Sequence, residues 1–155
     1  MKATKQDLAA FIDRLALPNF TGAEIADYCD RSRGKVKNSL PDVSLWPNII
    51  KTLVVAQALR NVVDVPLTIT SAYRSPAYNA AVGGEPGSYH MQFMALDLIP
   101  NGVSPSMFAK AARSLRGKTF KVPGTNDTFV WRGGIGEYSS FVHIDCRGYD
   151  ANWKG

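Results

Sequence analysis

Histidine is nearly missing from this chain: among 155 residues only His90 and His143 carry an imidazole. Cysteine is equally scarce. Cys29 and Cys146 stand far apart and in no paired spacing, which excludes a disulfide scaffold and a cysteine-rich zinc knot. No segment supplies the roughly 18 consecutive apolar residues of a membrane span. The opening "MKATKQDL" leads into no apolar stretch, so synthesis in a cytoplasm without a signal peptide is the expectation. Repeats and low-complexity tracts are also lacking, which removes solenoids and long linkers from consideration.

What is present describes an ordinary folded chain. Hydrophobic residues make up 45% and charged residues 20%, enough to bury a core and too apolar for disorder. The expectation is one domain over residues 1–155. The net charge of +5 suits an anionic partner, whether nucleic acid, a membrane surface or an anionic wall polymer. Yet the basic residues are scattered, apart from Arg31, Arg33, Lys35 and Lys37, and a solvated basic face accounts for them without any partner.

Periodicity places helices first. Leu8, Phe11, Ile12 and Leu15 recur at helical spacing. "TGAE" reads as a capping box that starts a second helix at Thr21, with Glu24 at its third position. "DRSRGKVKNSLPDVSLWP" reads as a loop. Residues 48–63, "NIIKTLVVAQALRNVV", are apolar around much of the circumference and predict a central buried helix. "LTITSA" alternates as a strand with Leu67, Ile69 and Ser71 on one face. A short helix over Pro76–Ala81, a strand at "MALDLIP" and a helix capped by Ser104 with Pro105 at its first position follow. The remainder reads as β: "KTFKV", a turn at "PGTND", "TFVWR", and a hairpin in "GGIGEYSSFVHIDCR". Helices followed by a small antiparallel sheet make the class α+β.

The chemistry concentrates where the histidines are. "SYHMQFMALDL" holds His90 with Asp97 seven positions on, and "FVHIDCRG" holds His143 with Asp145 two positions on. If the strands containing Asp97 and His143 lie side by side, His90, Asp97 and His143 supply three ligands for one zinc ion, leaving a fourth position open to water. Alternation puts His143 and Asp145 on one face, so Asp145 suits a partner that fixes a ligand histidine's tautomer. A lone histidine in an apolar stretch is equally well a hydrogen-bonded core residue. Buried aspartates, however, are rare unless paired or metal-bound, and spacing alone leaves both readings open.

"SAYRSPAYNAAVGG", "SYHMQFMALDL" and "GGIGEYSSFVHIDCRG" together resemble the zinc D-Ala-D-Ala peptidases of the hedgehog/DD-peptidase fold, which cut peptidoglycan stem peptides. The matching elements are Tyr73, Arg74, Ser75, Tyr78, Asn79, Ser88, His90, Asp97, His143 and Asp145, in the order and spacing of that family. The resemblance spans residues 45–148 as a zinc peptidase core, with 1–44 as a helical region outside it. It implies a single Zn2+ held by His90, Asp97 and His143, with Arg74 meeting the substrate's carboxylate or carbonyl. Ser88 lies near the metal in this reading, and Tyr138 at the lip of the hairpin joins Arg74 and Ser88 in substrate binding.

Two departures from the family pattern stand out. Relatives usually carry glycine three residues after the first zinc histidine, where this chain has Phe93. The general base that relatives place three or five residues before the last zinc histidine is absent, since those positions hold Ser140 and Tyr138. Glu137 and Asp145 are the carboxylates left nearby; Glu137 is the expected base and Asp145 the orienting group. Trp46, Trp131 and Trp153 are expected mainly as core, with a glycan-stacking platform as the alternative, chiefly for Trp131. Cys146 should point to the opposite face from Asp145, and Cys29 is expected as a small buried hydrophobe.

The reading that follows is a zinc peptidase acting on peptidoglycan stem peptides, with anionic wall polymers as a further contact and no nucleic acid expected. A phage or prophage lysis enzyme, made in the cytoplasm and reaching the wall after release, fits this picture. A zinc-containing wall-binding module without catalysis is the alternative, motivated by the missing base. A DNA- or virion-associated protein is a third, suggested by charge alone.

Overall fold

The computed structural model describes residues 2–155. Helix α1 (Lys5–Asp13) opens with a capping box between Thr4 and Asp7, and α2 (Gly22–Tyr28) with the one foreseen between Thr21 and Glu24. Each satisfies backbone N–H groups that the helix itself leaves without acceptors. The segment read as a loop contains a small hairpin, β1 (Ser32–Arg33) with β2 (Val36–Lys37), and a 3-10 turn at Val43–Leu45. Its strands are two residues each, too short for an alternation signal, and Gly34 turns them at φ 58°.

Helix α3 (Asn48–Val63) is the central buried helix, with Ile49, Leu53, Val55, Ala56 and Leu59 fully inside. It packs with α5 (Pro105–Leu115), which is capped by Ser104 and begins at Pro105. Together they cover one face of a five-stranded sheet made of β3 (Leu67–Ser71), β4 (Ala95–Pro100), β7 (Gly134–Glu137), β8 (Val142–Asp145) and β9 (Ala151–Lys154), in the order β3-β4-β8-β7-β9. A separate pair, β5 (Thr119–Lys121) with β6 (Thr128–Val130), stacks Phe120 on Phe129. The short helix α4 (Pro76–Ala81) and a 3-10 turn at Tyr89–Gln92 complete the chain.

The α+β class stands, and one strand goes beyond the expected antiparallel set. β9 pairs parallel to β7 at the sheet edge. Its four residues alternate half-buried and exposed, a pattern too brief to separate from loop in the sequence.

Two faces of this sheet do different things. Leu96, Leu98, Ile135, Val142 and Ile144 point at the helices and join the core. The pairings Ser71↔Asp97, Asp97↔His143, Gly136↔His143 and Gly136↔Trp153 run as one transverse row on the opposite face. Each strand therefore contributes one residue to the row. Ser71 was expected on the face of Leu67 and Ile69. A register shift between Ile69 and Ser71 instead brings Ser71 level with Asp97, as β-bulges do.

Candidate metal centre

His90 sits in the 3-10 turn that Ser88 caps by accepting the His90 N–H at 3.2 Å. That turn folds over the row, bringing His90 to Asp97 and His143. One ligand atom from each of the three lies within 4.8 Å of the others, and all three side chains are buried.

Hydrogen bonding behind the imidazoles fixes which nitrogen faces inward. His90 Nδ1 lies 2.7 Å from the Ala72 carbonyl, which accepts only, so Nδ1 carries the hydrogen and Nε2 is bare. His143 Nε2 lies 2.7 Å from Asp145 Oδ2, so that nitrogen donates, and in the neutral ring Nδ1 is bare. Both bare nitrogens point at the same oxygen, Asp97 Oδ1, at 3.2 and 3.0 Å. With both rings neutral, two lone pairs and a carboxylate converge in this buried space. Such a cluster of acceptors is stable only around a proton or a metal cation, and its nitrogen and oxygen donors suit a tetrahedral divalent ion with one position left open. The residues fit the ion that the sequence implied.

The electrostatics agree. Burial pushes the Asp97 carboxyl up, but the charges and hydrogen bonds of His90 and His143 outweigh it and hold the group below the usual carboxylate range. Burial keeps His90 below the ordinary imidazole value, only partly offset by Asp97. For His143 burial acts downward too, yet hydrogen bonds to Asp145 and Asp97 raise it overall. Acidic partners thus favour positive charge at this centre.

Asp145 lies behind His143, the place expected of an orienting group, and is absent from the cavity lining. It is fully buried. Burial raises its carboxyl, but hydrogen bonds from His143 and Arg147 bring it well below its ordinary value. Its Oδ1 accepts from Gly134 N, Arg147 N and Arg147 Nε; its Oδ2 accepts from His143 Nε2 and Arg147 Nη2. Every lone pair is engaged, so the group is poorly placed to take a proton in a reaction. Gly134 makes room for it, since a Cβ there would lie 2.6 Å from Asp145 Oδ2. The Arg147 guanidinium is in turn sandwiched by Tyr89 at 4.4 Å and Trp153 at 5.1 Å.

Arg74 is held by three donors: Nε to Ser71 Oγ at 3.0 Å, Nη1 to Asn79 Oδ1 at 3.3 Å and Nη2 to Asp97 Oδ2 at 3.3 Å. Of the five guanidinium hydrogens this leaves two for another molecule. Asn79 also ties the turn together, its Nδ2 donating to Glu85 O at 2.8 Å. Tyr78, by contrast, is a packing residue, edge-on to Tyr28. Asn38, from the region outside the recognisable motif, clamps the Arg74 turn by donating to Tyr73 O at 2.8 Å and accepting from Ser75 N at 2.9 Å.

A cavity of about 430 Å³ opens over the cradle, walled by Arg74, Glu85 and Ser88 on one side and Tyr138, Phe141 and Trp153 on the other. Ser88 and Tyr138 therefore line the cavity. Glu137 does not. It stands opposite Val142, on the helix-facing side of the sheet, and its nearest ion pair is Lys154 at 3.8 Å. A one-residue offset in a strand decides the face, which corrects the expectation that Glu137 serves as the base. Besides Asp97, the acidic residue among those lining the cavity is Glu85.

The aromatic assignments need adjusting as well. Trp131 and Trp46 are core, as expected, and Trp131 Nε1 donates to Asp145 O at 3.0 Å. Trp153 is the tryptophan at the site, 5.1 Å from the His143 ring. Gly136 permits this, because a Cβ there would meet the indole at 2.4 Å. Phe93 adopts φ 54°, the left-handed conformation that glycine takes without strain, and its fully buried ring packs edge-on against Tyr73. It supports the floor of the Arg74 turn and does not wall the cavity.

The comparisons with known proteins fit this geometry. A family model described as peptidase M15 matches residues 18–145, reaching well into the N-terminal region. A zinc D-Ala-D-Ala carboxypeptidase of Streptomyces albus G is 34% identical in an alignment 131 residues long that covers 79% of this chain and 48% of that protein. The chain thus spans about half the length of this relative.

Proposed function

The chain belongs to the peptidase M15 family, and from that premise we propose that it is a zinc-dependent peptidase hydrolysing an amide bond in peptidoglycan stem peptides. The observation that carries this reading is the buried convergence of one ligand atom each from His90, Asp97 and His143 beneath an open cavity. When bound, zinc supplies Lewis acidity that polarises the scissile carbonyl and acidifies a water beside it. The rest falls to the protein. Arg74, fixed on three sides, offers its two spare N–H groups to the substrate's anionic end, where a guanidinium fork suits a carboxylate.

Glu85 takes the proton of the attacking water and returns it to the leaving amine as the C–N bond breaks. Its place among the residues lining the cavity supports this role, on a turn whose backbone is pinned at the Glu85 carbonyl by Asn79 Nδ2 at 2.8 Å and Ser88 N at 3.0 Å. The spare donors of Arg74 favour a substrate with a free C-terminus, and hence carboxypeptidase action as in the named relative. A setting in wall lysis, as for a phage enzyme, belongs to the same proposal. The net charge of +5 supports adsorption to anionic wall polymers.

The test is a digest of purified stem peptides read by mass spectrometry. Metal-stripped protein should be inactive, zinc should restore activity, and terminal D-alanine should be released. Zinc-loaded protein that liberates no amine from any stem peptide or cross-linked wall would end this reading.

A further inference from the structure

The cavity wall built by the β7–β8 hairpin and β9 is aromatic and carries one polar atom of defined direction. Tyr138 stacks on Phe141 with centroids 4.4 Å apart and planes 7° from parallel. Its backbone N–H donates to Phe141 O at 3.0 Å, so the ring is fixed both at its root and along its face. Trp153 Nε1 donates to Tyr138 Oη at 2.9 Å. An indole N–H cannot accept, so the direction of this bond is settled: the phenol oxygen receives, and its own hydrogen points elsewhere. The same Trp153 ring lies 5.1 Å from the imidazole of His143, which sets the phenol one ring away from the metal cradle.

We propose that the Tyr138 hydroxyl hydrogen-bonds the oxygen of the scissile amide as it becomes an oxyanion, from the wall opposite Arg74. This deepens the peptidase reading and rests on it. As the water oxygen bonds to the carbonyl carbon, the C=O π pair moves onto that oxygen, and the negative charge meets the phenol O–H. No proton leaves Tyr138, and when the C–N bond breaks the pair returns to re-form the carbonyl. A donor whose direction is set before substrate arrives needs no reorganisation at that moment, and a largely aromatic wall keeps competing water away. Trp153 is the positioning residue of the pair, acting through the phenol oxygen.

Tyr138→Phe keeps the stacked ring and removes only the hydroxyl. It should lower kcat on the order of 10²-fold, as loss of one oxyanion donor does, while KM changes by less than about threefold. A second readout needs no turnover. A phosphinate analogue of the scissile dipeptide, tetrahedral and anionic, should bind Tyr138→Phe weaker by a similar factor in calorimetry, whereas the product peptide binds as before. Trp153→Phe should show the same pattern at roughly a tenfold loss, because the hydroxyl stays but loses its fixed direction. Unchanged kcat and phosphinate affinity in Tyr138→Phe would overturn the inference, and so would equal weakening of phosphinate and product. If the wild type itself neither cleaves stem peptides nor binds the phosphinate, the peptidase reading fails first and takes the inference with it.

Discussion

Asp145→Asn is the sharpest perturbation the structure offers, because the substitution changes one oxygen to an amide nitrogen and little else. All five groups facing the carboxylate are donors: Gly134 N, Arg147 N and Arg147 Nε on one oxygen, His143 Nε2 and Arg147 Nη2 on the other. Whichever way the new amide turns, its NH2 meets at least two N–H groups. If it faces His143, the ring loses the acceptor at 2.7 Å that keeps its inward nitrogen bare. If it faces Gly134, buried backbone donors are stranded.

Loss of a partner behind a ligand histidine costs about 10- to 100-fold in metal affinity, or roughly 1.4–2.7 kcal/mol at 1.4 kcal/mol per decade. Breaking a buried ion pair on one side destabilises the fold by a further ~3–5 kcal/mol. Chelator competition should report the first quantity and denaturant unfolding of metal-free protein the second. A variant that binds zinc within about threefold of wild type would refute the claim that Asp145 tunes the centre through His143.

The two glutamates separate the faces of the sheet functionally. Glu85→Gln should cut turnover by on the order of 10²-fold with zinc content intact, while Glu137→Gln should leave it within about twofold; steady-state rates beside metal analysis decide between them. Gly136→Ala puts a methyl carbon 2.4 Å from the Trp153 ring. Overpacking of ~1–3 kcal/mol should lower the melting temperature by several degrees and change the indole fluorescence. Burial pushes the thiols of Cys29 and Cys146 up to about 12. Both stay protonated at pH 8, so a disulfide-exchange reagent should react slowly with native protein and fully after denaturation.

Much of this was legible because some signals are local. The capping box at Thr21, the apolar girth of α3 and the alternation in β4 and β8 are properties of adjacent residues, and the last placed Asp97 and His143 on neighbouring strands. What escaped depends on partners distant in the chain. The face taken by Ser71 follows from a bulge that alternation does not announce. Trp153 reaches the site through a parallel pairing with β7, and Asn38 reaches Arg74 across more than thirty residues, with no spacing rule to suggest either. Arg147 was within reach of sequence reasoning. A buried aspartate demands a counter-charge, and this arginine is two residues further along the chain.

The transverse row has a consequence for how the protein comes together. Sliding β8 by a single position against β4 would carry Val142 or Ile144 into the slot of His143 and turn the imidazole towards the helices. Mispaired chains would then be unable to capture the ion, while correctly paired ones are locked by it. Metal capture would thereby act as a proofreading step, so that zinc present during refolding should raise the yield of the native pairing as well as its final stability.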